Sequence, residues 1–433
     1  MWCHEYTGAD QIIYRKRLDL TALPTTPNPL PRMHLPSFIS SHVTGRTCSM
    51  FRRDLEMRRA ELEQEIAGRS VLVIGGAGTI GASFIRVLLQ TATPARLFVV
   101  DINENGLTEL TRDLRSTPGL GIPTDYKTYP INFGDAVFQK LLRQEGPFDI
   151  VANFAAHKHV RSEKDPYAIE AMLENNVFRA KALLDWLSET PPRHFFCVST
   201  DKAANPVNIM GASKKLMEEV LLAYSPQIPV KTARFANVAF SNGSLPAGFL
   251  ERIARQQPIS APLDIRRYFV SPEEAGEICL MACLLGQSGT IFFPRLDPER
   301  DMQSFTHIAD RLLEAYGYTP VQCASEESAR ERVVEIADGG YPVFYFSSDT
   351  SGEKTAEEFF TEEETPDFTS FQALGILSFP PTRTLPDIEA AFAQLRAIFQ
   401  QPALQKEDIV AVLAALIPQF QHQETGKHLD QKM

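Results

Sequence analysis

The chain has 433 residues, of which 44% are apolar and 22% charged, and 54 Asp and Glu against 43 Lys and Arg give a formal net charge of −11. That length suggests one large domain with additions, or two domains, and the apolar share suffices for a sizeable core. An acidic balance without a basic cluster argues against a nucleic-acid partner, but it leaves room for an anionic small molecule held by a few local Arg or Lys.

Residues 1 to about 46 are rich in Pro, Thr and Ser (LTALPTTPNPLPRMHLPSFISS) and read as an irregular arm. The segment SMFRRDLEMRRAELEQEIAGRS follows, with Phe51, Leu55, Leu62 and Ile66 at helical spacing. From Ser70 strands and helices alternate. SVLVI, ARLFVVD, YKTYPINF, FDIVANFAA, RHFFCVST and PVKTARFAN read as strands. TIGASFIRVLLQ, ENGLTELTRDLRS, DPYAIEAMLENNVFRAKALLDWLSE and MGASKKLMEEVLLAY read as helices. Such alternation implies an α/β fold with a doubly wound parallel sheet. After about Asn237 the alternation weakens. The tail has helical patterns at 305–317, 325–337, 386–399 and 404–417, with an apolar stretch, YPVFYFSS, among them.

The six cysteines (Cys3, Cys48, Cys197, Cys279, Cys283 and Cys323) form no C-x-x-C pair and no metal-ligand spacing, so no metal is expected. Cys279 and Cys283 lie four apart in an apolar helical pattern and read as buried thiols. No apolar run approaches the ~20 residues of a membrane span. The start, MWCHEYTGADQ, has no signal-peptide pattern, and a reduced, cytoplasmic protein is expected.

The stretch VLVIGGAGTIGASF sets Gly75, Gly78 and Gly81 after a strand and at the opening of a helix, the context a dinucleotide fingerprint requires. Glycine lets the backbone approach a pyrophosphate, and the first helical turn, with Thr79 and Ile80, supplies N–H donors. Asp101 ends the second strand, twenty residues beyond Gly81, where an acid accepts from ribose hydroxyls. It would repel a 2′-phosphate, and DINEN offers no base to hold one, so NAD is expected rather than NADP.

STDKAANPVNIMGASKK, Ser199 to Lys215, has the spacing of a dehydrogenase active site, but Met210 stands four residues before Lys214 where a Tyr is expected. With GGAGTIG, NFAAHKHV, ENNVFRA, RFANVAFSNGS and RRYFV, this stretch resembles the extended short-chain dehydrogenase/reductases, specifically the polysaccharide-biosynthesis (CapD-like) nucleotide-sugar 4,6-dehydratases. Residues 70 to about 296 carry the likeness. The tail, IFFPRL through SDTSGEKTAEEFF, is similar to a branch linked to nonulosonic (legionaminic-type) sugar pathways.

The resemblance implies a Rossmann-type fold in four parts: an N-terminal arm and helix (1–68), an NAD-binding domain (69–240), a substrate-binding region (241–300) and a C-terminal α/β extension (301–433). It implies conversion of UDP-N-acetylglucosamine, or its GDP counterpart, to the 4-keto-6-deoxy sugar. C4 is oxidised, water is lost across C5 and C6, and hydride returns to C6, so that NAD acts as a bound group. Thr200 would hydrogen-bond the C4 oxygen, and Asp201 would protonate the departing C6 hydroxyl. Lys202 would take the C5 proton, its pKa lowered by burial and by Lys214. Lys214 would also bind the nicotinamide ribose. Met210 cannot replace the Tyr as a proton carrier, and Met members of the family tend to retain the C5 configuration; the C4 proton then goes to Asp201, Lys202 or water.

Asn132, Phe133, Ala155, Ala156 and Asn176 are assigned to the cofactor by the same resemblance. Lys158, His159, Asn237, Ser244, Leu245 and Arg267 are assigned to the substrate, with Arg267 the best phosphate ligand and Arg266 a surface charge. The rival expectations are a nucleotide-sugar 4-epimerase and a catalytically silent NAD-binding scaffold. Apolar faces on more than one side of 165–190 and 209–224 predict at least a dimer, and the resemblance implies a four-helix contact, two such helices coming from each subunit. SDTSGEK reads either as a substrate-capping loop or as an ordinary glycine turn.

Overall fold

The computed structural model describes residues 33–348, 354 and 358–423. In chain order its strands are β1 (Ser70–Ile74), β2 (Arg96–Val100), β3 (Asp125–Tyr129), β4 (Ile150–Asn153), β5 (His194–Val198), β6 (Val230–Ala233), β7 (Asn237–Val238), β8 (Ile259–Pro262), β9 (Arg266–Val270), β10 (Thr290–Pro294), β11 (Met302–Ser304), β12 (Thr319–Gln322), β13 (Gly340–Phe346) and β14 (Leu374–Ser378). The α-helices are α1 (Leu35–Phe38), α2 (Arg52–Met57), α3 (Arg59–Ile66), α4 (Thr79–Thr91), α5 (Glu104–Ser116), α6 (Ala136–Glu145), α7 (Pro166–Leu173), α8 (Arg179–Ser188), α9 (Ile209–Tyr224), α10 (Leu245–Ala254), α11 (Pro272–Leu285), α12 (Phe305–Ala315), α13 (Glu326–Glu331), α14 (Leu385–Phe399) and α15 (Lys406–Leu416).

Eight strands form one sheet in the order β14-β10-β6-β5-β4-β1-β2-β3. Neighbours pair parallel, except β10 with β14, which is antiparallel. The central strands are buried on both faces. Val71, Val73, Leu97, Val99 and Phe196 enter one core, and Leu72, Ile74, Phe98, Val100 and Phe195 the other. This is why they read as unbroken apolar runs instead of alternating ones. The fold is the expected Rossmann-type doubly wound sheet. Its strand order reverses at β1, between β2 and β4, and there the loops after β1 and β4 part to leave a crevice. Two smaller sheets, β11-β9-β7 and β12-β13-β8, stand beside the crevice. They share an apolar cluster of Phe240, Phe249, Ile259, Phe269, Phe305 and Tyr341.

Four local expectations are corrected. The described end of the arm is helical: α1 opens on Leu35 and Pro36 and continues as a π-helical turn, Ile39–Val43, because Phe38, Ile39 and Val43 are buried in that third cluster. The segment at 49–70 breaks at Arg58 into α2 and α3. A π-helical turn, Glu174–Phe178, interrupts the long helix between α7 and α8. Between β3 and β4 runs the unanticipated α6, with only Phe138 and Leu141 of its ten residues buried. Cys279 and Cys283 are buried and free, as expected. Residues 1–32 of the arm and most of SDTSGEK lie outside the described residues. Among the described residues no helix is long and apolar enough to cross a membrane.

Candidate active site

The turn from β1 into α4 is shaped by contacts that only glycine permits. A Cβ on Gly75, where φ is +75°, would lie 2.5 Å from the Ala155 nitrogen, and one on Gly81 would lie 2.4 Å from the Gly75 carbonyl oxygen. These two close the loop against β4 and seat the helix on the strand. A Cβ on Gly78 would meet only the Gly75 oxygen, at 3.5 Å, so this side of the turn is open. Gly78 caps α4 without a side-chain hydrogen bond, leaving the helix N-terminus to an outside anion. Asp101 follows β2 and fastens the two turns together. Its Oδ2 accepts from the Ala77 nitrogen at 3.0 Å and its Oδ1 from the Asn103 nitrogen at 2.9 Å. Backbone cradle, open helix end and strand-end acid fit a dinucleotide.

Beyond β5 the chain makes one 3₁₀ turn, Asp201–Ala203, capped by Thr200. Oδ1 of Asp201 accepts from Thr200 Oγ1 at 2.8 Å, from the Lys202 nitrogen at 2.9 Å and from Lys202 Nζ at 3.2 Å. Oδ2 is buried without a partner, one of two such side-chain atoms among the described residues. A buried oxygen left unpaired is costly, and this one belongs to a residue that lines a cleft of about 580 Å³. Lys202 thus pairs with a carboxylate of its own turn.

α9 presents Met210 and Lys214 to the same cleft. Met210 is 3% exposed, and its backbone nitrogen donates to Glu163 Oε1 at 2.8 Å. Lys214 Nζ donates to the Val198 carbonyl at 2.9 Å, and burial pushes its ammonium below the ordinary lysine value. Asn176 is fully engaged. Its Oδ1 accepts from the His157 nitrogen at 2.8 Å, and its Nδ2 donates to the His157 carbonyl at 2.8 Å and to Ser213 Oγ at 3.1 Å. It braces the turn after β4 against α9. Burial also lowers Lys158, whose Nζ donates to the Asn242 carbonyl at 2.8 Å.

Behind the 3₁₀ turn lies a buried charge network. Ser199 Oγ donates to Glu218 Oε1 at 2.6 Å, and Arg234, with no exposed surface, places Nε and Nη2 on Glu218 at 2.9 and 2.7 Å. Its Nη1 and Nη2 also reach Glu364 at 2.8 and 3.1 Å. Burial works against ionisation of Glu218, but the Arg234 guanidinium prevails and holds its carboxyl below the usual range. The residue before Thr200 is thereby tied to the tail.

Of the residues expected from the sequence, the cleft gathers Ile80, Ala156, Lys158, His159, Thr200, Asp201, Lys202, Met210, Lys214, Asn237, Ser244 and Leu245. Gly75, Gly78, Thr79, Gly81 and Asp101 lie along the turns after β1 and β2. Asn132 Oδ1 accepts from the Gly134 nitrogen at 2.9 Å, and Phe133 is buried edge-on against Phe138. Arg267, on β9, is 4% exposed and donates from Nη1 to the Arg266 carbonyl at 3.0 Å, whereas Arg266 is exposed. Sequence reasoning missed Glu251, Arg252, Ser260, Phe305 and Phe346, which line the cleft beyond Leu245. They belong to no motif. The one available signal was the apolar stretch YPVFYFSS, which supplies Phe346.

Residues 71–377 match the family model described as polysaccharide biosynthesis protein. An uncharacterised membrane protein of Methanocaldococcus jannaschii is 31% identical over 58% of this chain and 74% of its own length. A UDP-N-acetylglucosamine 4,6-dehydratase (inverting) of Campylobacter jejuni is 26% identical over 55% of this chain and 70% of its own. The match takes up only 45% and 40% of two further polysaccharide-biosynthesis relatives. Among solved structures, the dTDP-glucose 4,6-dehydratase DesIV of Streptomyces venezuelae, determined with NAD bound, is 19% identical and superimposes with a TM-score of 0.50 over 68% of this chain and 88% of that one; at that identity the likeness speaks for the fold. With the family model covering most of the chain and the motifs in their expected places, the chain belongs to the polysaccharide biosynthesis protein family, in the CapD-like group of extended short-chain dehydrogenase/reductases.

Proposed function

We propose that this chain is an NAD-dependent nucleotide-sugar 4,6-dehydratase that converts UDP-N-acetylglucosamine to its 4-keto-6-deoxy product with retention at C5, in surface-polysaccharide or nonulosonic-acid biosynthesis. The observation that carries this reading is Asp201: one carboxylate oxygen is held by Thr200 and Lys202, and the other is buried and unpartnered in a residue that lines the cleft. NAD in the glycine cradle supplies the hydride acceptor for C4 and the hydride returned to C6.

The chain's own residues account for the protons. Thr200 Oγ1 stands between the C4 hydroxyl and Asp201, so the C4 proton passes to the carboxylate. Asp201, now protonated, gives that proton to the C6 hydroxyl, which leaves as water. The Lys202 amine takes the C5 proton in the same elimination and later returns it to the same face of C5. Asp201 and Lys202 each end the cycle in the protonation state in which they began it, so it closes without Tyr. Met210 excludes water and fills volume. Lys214 holds the nicotinamide ribose, and Arg267 the diphosphate.

The test is incubation with UDP- and GDP-N-acetylglucosamine and mass detection of water loss. Asp201→Asn and Lys202→Met should each lower turnover by roughly 10²–10⁴-fold, and together by less than the product, because groups acting in one step fail together. Met210→Leu should keep most activity. Water loss from the GDP sugar alone would reassign the nucleotide. An inactive Met210→Leu beside near-normal Asp201→Asn and Lys202→Met would overturn the scheme.

A further inference from the structure

The backbone is strained beside the cleft. Phe240, in the loop between β7 and α10, has φ +54°. That left-handed conformation is costly for a bulky side chain and persists only when its surroundings impose it. The residues that follow make the loop a junction. The Asn242 nitrogen donates to Thr79 Oγ1 at 3.0 Å, at the open end of α4, and the Asn242 carbonyl accepts from Lys158 Nζ. A Cβ on Gly243 would lie 2.9 Å from the His159 ring. Ser241, Gly243 and Ser244 all line the cleft. One loop thus touches the dinucleotide turn and, after β4, both Lys158 and His159.

A further support comes from outside the region that matches the family, which begins at residue 71. Phe38 of α1, 4% exposed, sets its ring edge-on to that of Phe240, with centroids 5.9 Å apart. Ile39 and Val43 continue into the same apolar cluster. The segment is then fastened to β9 and α11. Arg46 Nη2 donates to the Phe269 carbonyl at 2.9 Å, on β9 two residues beyond Arg267. Its Nε and Nη2 also hold both carboxylate oxygens of Glu274, at 2.8 and 2.7 Å. A paired guanidinium–carboxylate contact of this kind has little freedom to shift.

We infer that the segment Leu35–Arg46 is a brace for the substrate side of the cleft, with Phe38 a positioning residue that keeps the Phe240–Ser244 loop in its strained, cleft-lining form. The substrate is the nucleotide sugar of the proposed function, and the kinetic arm of the test rests on that reading. An edge-on ring pair is worth about 0.5–1.5 kcal/mol. Phe38→Ala in the full chain should therefore raise KM for the nucleotide sugar by about 2- to 10-fold with kcat nearly unchanged. Phe38→Tyr, which keeps the ring, should restore it. A role in stability alone would lower the active fraction and leave KM as it was.

Hydrogen exchange supplies an arm that needs no turnover. Phe38→Ala should speed exchange of the backbone amides of 240–244 while those of β1 and β2 keep their protection. Phe38→Leu, which retains volume without the ring edge, should fall between Ala and the parent and stands in for Ala if Ala does not fold. If neither nucleotide sugar is turned over by the parent protein, the proposed function fails and the exchange arm still decides the brace. A folded Phe38→Ala or Phe38→Leu whose loop exchanges at the parent rate, or whose KM matches the parent's, overturns the inference.

Discussion

Glu277, on α11, shows how a single buried carboxyl can set a pH dependence. Burial pushes it up to about 8, with Glu273 and Glu274 adding to the rise, against a hydrogen bond donated by the Ser49 hydroxyl. Its folded pKa lies above the ordinary 4.5, so across that window the folded chain keeps a proton that the unfolded chain has lost. Stability should therefore fall as pH rises from about 4.5 to about 8, by at most ~1.4 kcal/mol per pH unit, and level off above. Glu277→Gln should flatten the slope of thermal midpoint against pH over this range, and an unchanged slope would assign it to other groups. PEEAGE shows the neighbouring Glu273 and Glu274 but not the main cause, which is the burial that the packing of the whole chain decides. The same holds for Arg234, which follows β6: its partner Glu364 lies 130 positions on. Thr200, Asp201 and Lys202 make their mutual contacts within one turn, but the sequence pointed to them only through the resemblance, since STDK by itself reads equally as a strand-to-loop cap.

At the scale of elements, α9 and the 3₁₀ turn before it behave as one piece. Asn208 caps the helix, its Oδ1 accepting from the Gly211 nitrogen at 2.8 Å. Gly211 is pressed against the turn so closely that a Cβ would lie 2.5 Å from the Lys202 carbonyl oxygen. Gly211→Ala should push Asp201 and Lys202 out of register, and a misplacement of about 1 Å can cost up to ~10²-fold in rate. Turnover should fall by that order while NAD stays bound, as measured by cofactor content after gel filtration; loss of cofactor and turnover together would point instead to a general loosening of α9. The alternating strands and helices were readable because parallel strands buried on both faces are continuous apolar runs and their crossover helices are long. The elements that escaped are those whose burial is decided elsewhere. α6 buries two side chains, and α1 is helical only because the third cluster receives Phe38. β14 joins the edge of the main sheet from the far end of the chain, antiparallel to β10.

For the whole molecule, the question is what covers the apolar helices 165–190 and 209–224, from which an assembly of at least two copies is expected. Within one chain, the tail covers them. Phe392 of α14 sets its ring 4.5 Å from Phe178, Arg396 stacks over that same ring at 5.1 Å, and Lys181 of α8 pairs with Glu389 at 2.5 Å. Ile388, Leu395, Ile409 and Leu413 join Ile169, Leu173, Leu184 and Leu221 in one core. A helix that is apolar on several faces must be buried, but that rule does not say by which chain, and the reading from sequence assigned the cover to a second copy. The two covers differ in one measurable respect: burial by a partner strengthens with concentration, and burial within the chain does not. Amide protection in α8 and α9 should therefore stay constant as protein concentration is raised through the micromolar range, even if light scattering finds a dimer built on another surface. Phe392→Asp, which puts a charge against Phe178, should lower protection in both helices at every concentration and increase self-association by uncovering them. Protection that rises with concentration in the parent chain would place a second copy on this face and return the tail helices to a peripheral role.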